Sequence, residues 1–201
     1  MIKNRNMFLE LPPLPVSDIE ALRYAGVRGE TEEYENLLSL CKAELLPNLR
    51  GLVTYRVVDF YADGEFCEIG GIRVKSRSLL KAFFGSKSAI IFVATVGLTA
   101  DRLVKKYEGI AVSRAHMINA LATERIESLC DSFADMAQRE LFSEYALTKR
   151  FSAGYGDLPL EFQRDIFMLL TPEKYIGVTL NDSLLMTPTK SVSALIGIKN
   201  K

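Results

Sequence analysis

The chain has no tryptophan, one histidine and three cysteines in 201 residues. Each scarcity excludes a class of chemistry. His116 is on its own, and Cys41, Cys67 and Cys130 are far apart, so no zinc or iron site of familiar spacing is present. A Ser-His-Asp hydrolase would have to use His116, yet no Gly-x-Ser-x-Gly elbow occurs. No Gly-x-x-x-x-Gly-Lys-Ser/Thr loop is present for a nucleoside triphosphate. Net charge is also lacking. Lys+Arg and Asp+Glu number 25 each, so the basic footprint of a nucleic-acid binder is missing. No apolar run approaches the ~20 residues that span a bilayer. The opening residues Met1 to Asn6 have no apolar signal segment behind them. The cysteines are odd in number and read as reduced core thiols. These features predict a cytoplasmic protein with no nucleic-acid or membrane partner.

What is present is ordinary for a globular chain: 48% hydrophobic and 25% charged residues. The length predicts one large domain over 17–201. An extended arm over 1–16, carrying Pro12, Pro13 and Pro15, precedes it, because proline and the residue before it avoid helix. No internal repeat, low-complexity tract or flexible linker divides the chain.

Ser17-Asp18-Ile19-Glu20 reads as a capping box opening a short helix that Gly26 ends. A second helix follows Thr31, with Tyr34, Leu37, Leu38, Cys41 and Leu45 at helical spacing and Pro47 as its stop. From Leu52 to Tyr61 the composition is strand-like, and Asp63-Gly64 marks a hairpin. Phe66 to Ile69 is the return strand. Gly70-Gly71 breaks it before Ile72 to Val74. Ser78 to Phe84 reads as helix. Ala89 to Val96 is continuously apolar and predicts a central strand buried on both faces. Thr99 is placed to cap the next helix, and Ser113 to cap the longest one, over 113–142. Along that helix Ile118, Leu121, Ala122, Ile126, Leu129, Phe133, Met136, Ala137 and Leu141 form one stripe, opposite Glu124, Glu127, Asp131, Asp135 and Glu140. Strands are expected at Leu184–Met186 and Val192–Ile198.

The one polar constellation follows that long helix. It reads Arg150-Phe151-Ser152-Ala153-Gly154-Tyr155-Gly156-Asp157. Arginine offers a planar fork suited to a carboxylate or phosphate. Gly154 and Gly156 let backbone approach a ligand closely, and Tyr155 offers an apolar face with a polar tip. A plainer reading is equally open: Arg150 as a helix-end cation and the glycines as turn-formers. The glycines are not a dinucleotide-binding fingerprint, since they follow a helix and the third glycine is missing. Asp157 and Pro159 read as the start of a helix to Leu170, followed by one more turn that Gly177 closes.

Spaced motifs in the last third carry a resemblance. Arg150-x-x-x-Gly154-Tyr155 is followed, in order, by Ile176-Gly177-Val178-Thr179-Leu180 and Met186-x-Pro188-x-x-Ser191-Val192-Ser193. The chain resembles the activation domain of cobalamin-dependent methionine synthase, in a free-standing short form, over roughly residues 17–198. The resemblance implies an α+β fold, a twisted antiparallel sheet bordered by helices. It implies binding of S-adenosylmethionine by Arg150, Ser152, Ala153, Gly154, Tyr155 and Gly156, with Arg150 on the methionine carboxylate. In that family the domain delivers the methyl group to cobalamin inactivated by oxidation, with an electron from a flavodoxin-like donor. Where longer members have proline before Gly-Tyr, this chain has Ala153. It also lacks the Asp-x-His-x-x-Gly cobalamin-ligand motif and a paired-cysteine zinc site, so it carries no complete catalytic site of its own. The expected role is an accessory component of a methionine synthase system in methionine biosynthesis, meeting cobalamin only through a corrinoid partner. The alternatives are a ligand-free interaction module docking on a corrinoid protein, and a small-molecule-binding regulator unrelated to cobalamin.

Overall fold

A computed structural model describes residues 4–11, 15–29 and 32–201. Pro12, Pro13 and Thr31, named above, lie outside the described residues. The centre of the fold is the apolar run. Ser86–Thr95 (β5) is buried from Ser88 onward and pairs on both sides with other strands. One neighbour is Gly51–Asp63 (β2), in register from Leu52↔Thr95 to Asp59↔Ser88. The other is Ser191–Asn200 (β9), from Thr95↔Ser191 to Ser86↔Lys199. Every pairing is antiparallel.

Two hairpins extend the sheet beyond β2. Phe66–Ile69 (β3) returns after a two-residue turn at Gly64-Glu65 and pairs Phe66 with Asp63. Ile72–Lys75 (β4) returns after Gly70-Gly71, which have φ of 59° and 86°. Two consecutive positive φ values are what a tight primed turn needs, hence two glycines. The outer edge of β2 is shared: Met7–Leu11 (β1) occupies its first five residues and β3 its last four. On the far side Tyr145–Leu147 (β6) pairs with the end of β9.

Side chains alternate across the sheet and feed two layers. Ala89, Ile91 and Val93 face one core with Leu79, Phe83, Leu158, Ile166 and Leu170. These come from Arg77–Ala82 (α3) and the Phe83 that follows it, from Phe162–Leu170 (α6) and from the segment before α6. Pro172–Ile176 (α7) and the small ribbon of Thr179–Leu180 (β7) with Met186–Thr187 (β8) follow on the same side. Ile90, Phe92 and Ala94 face the other core with Ile126, Leu129, Cys130 and Phe133 of Val112–Met136 (α5). The first half of α5 leaves the sheet and packs instead with Asp18–Tyr24 (α1), Glu32–Leu45 (α2) and Thr99–Tyr107 (α4).

Several local expectations differ from what is found. Ser17 does cap α1, accepting from Glu20 N at 3.3 Å, but its own amide donates to Glu124 Oε1 rather than to Glu20. The Thr99 hydroxyl donates to Asn48 O at 2.8 Å instead of capping α4, which Leu98 precedes. Ser113 lies inside α5, which starts after Ala111 without a side-chain cap. The long helix ends at Met136 and closes with one π turn, Ala137–Leu141, in which Leu141 is exposed. Glu124 is not on the solvent face. It is 3% exposed, bonded to Arg125 and Ser128, and Arg125 in turn donates to Pro15 O. The buried pair therefore fastens the segment before α1 to the middle of α5.

Candidate functional site

Arg150 is not a helix-end cation. β6 intervenes after the long helix, and the chain then runs extended along β9. Thr148 N donates to Gly197 O, and Phe151 exchanges both backbone bonds with Leu195, at 2.9 and 2.8 Å. In such a stretch neighbouring side chains point to opposite faces. Phe151 packs against the α6-side core. Arg150 points the other way, to α5, and its Nη2 donates to Glu127 Oε2 at 3.0 Å and Asp131 Oδ1 at 2.9 Å. Glu127 and Asp131 are four residues apart and so share one face of α5. Cys130 lies between them, buried, its thiol pushed up to about 12 by burial.

These groups line a depression of about 360 Å³ at the sheet edge, formed by Glu127, Asp131, Ala134, Thr148, Lys149, Arg150, Ser152 and Tyr155. Of the six residues singled out in the sequence, Arg150, Ser152 and Tyr155 line it. Tyr155 is 60% exposed, with its ring edge-to-face against Phe151 at 6.0 Å. Ala153 turns inward and joins the core beside Leu158. Gly154 and Gly156 shape the loop with φ of 85° and 56°. Gly154 N donates to Leu158 O, Tyr155 N to Ser152 O and Leu158 N to Tyr155 O, so the loop is closed on itself. Gly156 lies so close to α3 that an added Cβ would stand 2.5 Å from Ser78 Oγ.

Asp157 does not open α6, which begins at Phe162. Its carboxylate instead reaches α3. Oδ1 accepts from Ser76 Oγ at 2.7 Å and Ser78 N at 3.0 Å, and Oδ2 accepts from Arg77 N at 2.9 Å. The Ser76 hydroxyl and these amides hold its pKa well below the usual carboxylate range. Sequence reasoning also missed Glu127 and Asp131 as partners of Arg150. The i, i+4 carboxylates were visible, but nothing local shows that β9 carries Arg150 onto their face.

Among the described residues no group of three or more His, Cys, Asp or Glu is placed to hold a metal ion, and no helix is long and apolar enough to cross a membrane.

The second half of the molecule, from β5 to β9, contains Arg150, its carboxylate partners and the whole loop. A family model described as "Vitamin B12 dependent methionine synthase, activation domain" matches residues 85–201. The chain belongs to this activation-domain family. Its fold is also that of a solved structure described as "Crystal Structure of the MetH Reactivation Domain bound to AdoHcy". The two share 17% sequence identity with a TM-score of 0.67, over 97% of this chain and 78% of that one. No curated protein matches the chain. The expected fold class, a twisted antiparallel sheet bordered by helices, is the activation-domain fold found here.

Proposed function

We propose that this activation-domain protein binds S-adenosylmethionine in the Arg150 depression and serves as the reactivation partner of a cobalamin-dependent methionine synthase. It would support reductive remethylation of oxidised cobalamin held by that partner, with the electron from a flavodoxin-like donor. The observation that carries the ligand assignment is the charge pattern around Arg150. S-adenosylmethionine carries one carboxylate, one ammonium and one sulfonium. The depression offers a guanidinium for the first and the Glu127 and Asp131 carboxylates for the other two. Arginine suits the role because its planar fork pairs with a carboxylate through two donors. The exposed Tyr155 ring stands at the rim with a free face for the nucleoside, and Ser152 adds a hydroxyl. The volume is at the lower end of the ~300–1,000 Å³ typical of small-molecule sites. The fold neighbour is described with AdoHcy bound, a ligand that shares the amino-acid and nucleoside parts.

One observation favours the alternative, a ligand-free module docking on a corrinoid protein. Arg150 already has two carboxylate partners, and a ligand carboxylate has to compete with them. Titration calorimetry with S-adenosylmethionine separates the readings. Saturable heat at micromolar to millimolar ligand is expected, and its absence at millimolar ligand would overturn the ligand assignment in favour of the docking module.

A further inference from the structure

The ligand loop has two ends, and each is tied down differently. At the Arg150 end, Phe151 is a rung on β9 and Arg150 is paired to α5. At the other end nothing pairs with the sheet. Among the described residues Asp157 supplies the polar tether, through its three hydrogen bonds to Ser76, Arg77 and Ser78. Ser76 Oγ completes the set by accepting from Leu79 N at 3.1 Å. Each carboxylate oxygen therefore has a directed donor, two of them backbone amides that cannot rotate away. Gly156 lets this contact form, because any side chain there would strike Ser78. Between the two anchors the backbone bonds of Ser152, Gly154 and Tyr155 hold the loop's shape, and Ala153 packs into the core with Leu158.

Resting on the ligand assignment above, we propose that Asp157 is the positioning residue of that site. Clamped on α3, its carboxylate sets where Tyr155 and the loop amides stand relative to Arg150. Asp157 touches no part of the depression itself, so its effect on the ligand passes wholly through the loop. Two tethers on rigid elements fix a loop far better than one, because a group held at one end keeps its rotation about that end. With Asp157 neutralised or truncated, the Arg150 end keeps its rung on β9, while the far end is held only by the packing of Ala153 and Leu158 and Tyr155 gains freedom relative to Arg150.

The test uses the full chain and the variants Asp157→Ala, Asp157→Asn and Ser76→Ala. Amide hydrogen exchange without ligand is expected to speed up at Gly154, Tyr155 and Leu158 in Asp157→Ala and to stay unchanged in β5 and α5. S-adenosylmethionine affinity, measured well below each variant's melting temperature, is expected to fall about tenfold, the lower end of what losing a support behind a binding group costs. Asp157→Asn should lie between, since its amide oxygen keeps an acceptor for Ser78 N. Ser76→Ala, which keeps the carboxylate, should show the smallest change and covers the case in which the Asp157 variants fold poorly. A purely structural role would lower the melting temperature and leave the dissociation constant alone. Wild-type binding with equal affinity in Asp157→Ala would overturn the positioning role alone. No binding by the wild type would overturn the ligand assignment, and the positioning role with it.

Discussion

Removing the Arg150 side chain is the sharpest perturbation the site offers. A hydrogen bond to a charged group contributes about 1.5–3 kcal/mol. Here the guanidinium is not idle before the ligand arrives. It sits on Glu127 and Asp131, whose side chains are 41% and 71% exposed, against 25% for its own. Ion pairs this wet are worth about 0.2–1 kcal/mol each. A ligand carboxylate that displaces or stretches them gains correspondingly less, leaving roughly 1–2 kcal/mol, which is about 5- to 30-fold in affinity. Arg150→Ala should therefore raise the dissociation constant of S-adenosylmethionine by that factor in titration calorimetry. Arg150→Lys should recover part of the loss, because the charge stays and the fork goes. Folding stability should fall by about 0.4–2 kcal/mol, since both lost pairs are solvent-screened. If the wild type binds and Arg150→Ala binds equally well, the ligand lies elsewhere and the charge argument fails.

Other expectations are equally direct. Asp131→Asn should weaken S-adenosylmethionine more than S-adenosylhomocysteine, by roughly 2- to 5-fold, because only the former carries the sulfonium charge; equal losses for both ligands would remove Asp131 from sulfonium recognition. Gly156→Ala should cost about 1–3 kcal/mol in urea unfolding, since an alanine there takes a left-handed φ and strikes Ser78; Ser78→Gly in the same chain should restore part of it, and no restoration would refute the steric explanation. Glu124→Ala should cost about 3–5 kcal/mol, because it leaves a buried guanidinium without its carboxylate; a loss below about 1 kcal/mol would mean that water reaches the pair. The three thiols are free and buried, with burial pushing Cys41 and Cys67 up to about 11 and Cys130 to about 12. A thiol reagent at pH 8 should titrate none of them in native protein and all of them in guanidinium; rapid native labelling would contradict the packing.

Much of the frame is legible in the residues because the physics is local. The run from Ala89 to Val96 has no polar side that could face water except Thr95, so it must sit inside a sheet. The turn at Gly70-Gly71 announces itself through the positive φ of both residues, and Gly64 marks the neighbouring hairpin, although its turn is Gly64-Glu65 and not the expected Asp63-Gly64. The broad stripe of α5 sets which face it buries. What was not legible depends on partners distant in the chain. The Thr99 hydroxyl finds Asn48, the Ser17 amide finds Glu124, and Asp157 finds Ser76 eighty-one positions away. A polar side chain near a helix end has several local and distant partners within reach, and only the assembled fold decides between them. Arg150 follows the same rule. Its residue type and its spacing to Tyr155 were visible, whereas its direction is set by a strand that arrives forty-five residues later.

That strand, β9, has a consequence for how the protein is made. It comes latest of the described strands in chain order, yet it lies inside the sheet, between β5 and the edge strand β6. While the ribosome is still adding residues 101 to 190, β5 has one edge unpaired, and its most apolar stretch has nothing to close against. Arg150 and Tyr155 are made before Leu195, so the rung that aims Arg150 at α5 does not yet exist when they are added. Long-range strand pairing is slow and leaves apolar edges exposed while it waits. The rung that aims Arg150 at α5 therefore forms only once β9 has been made. Loss of β9 would leave β5 with an open edge and Arg150 without the rung that aims it at α5.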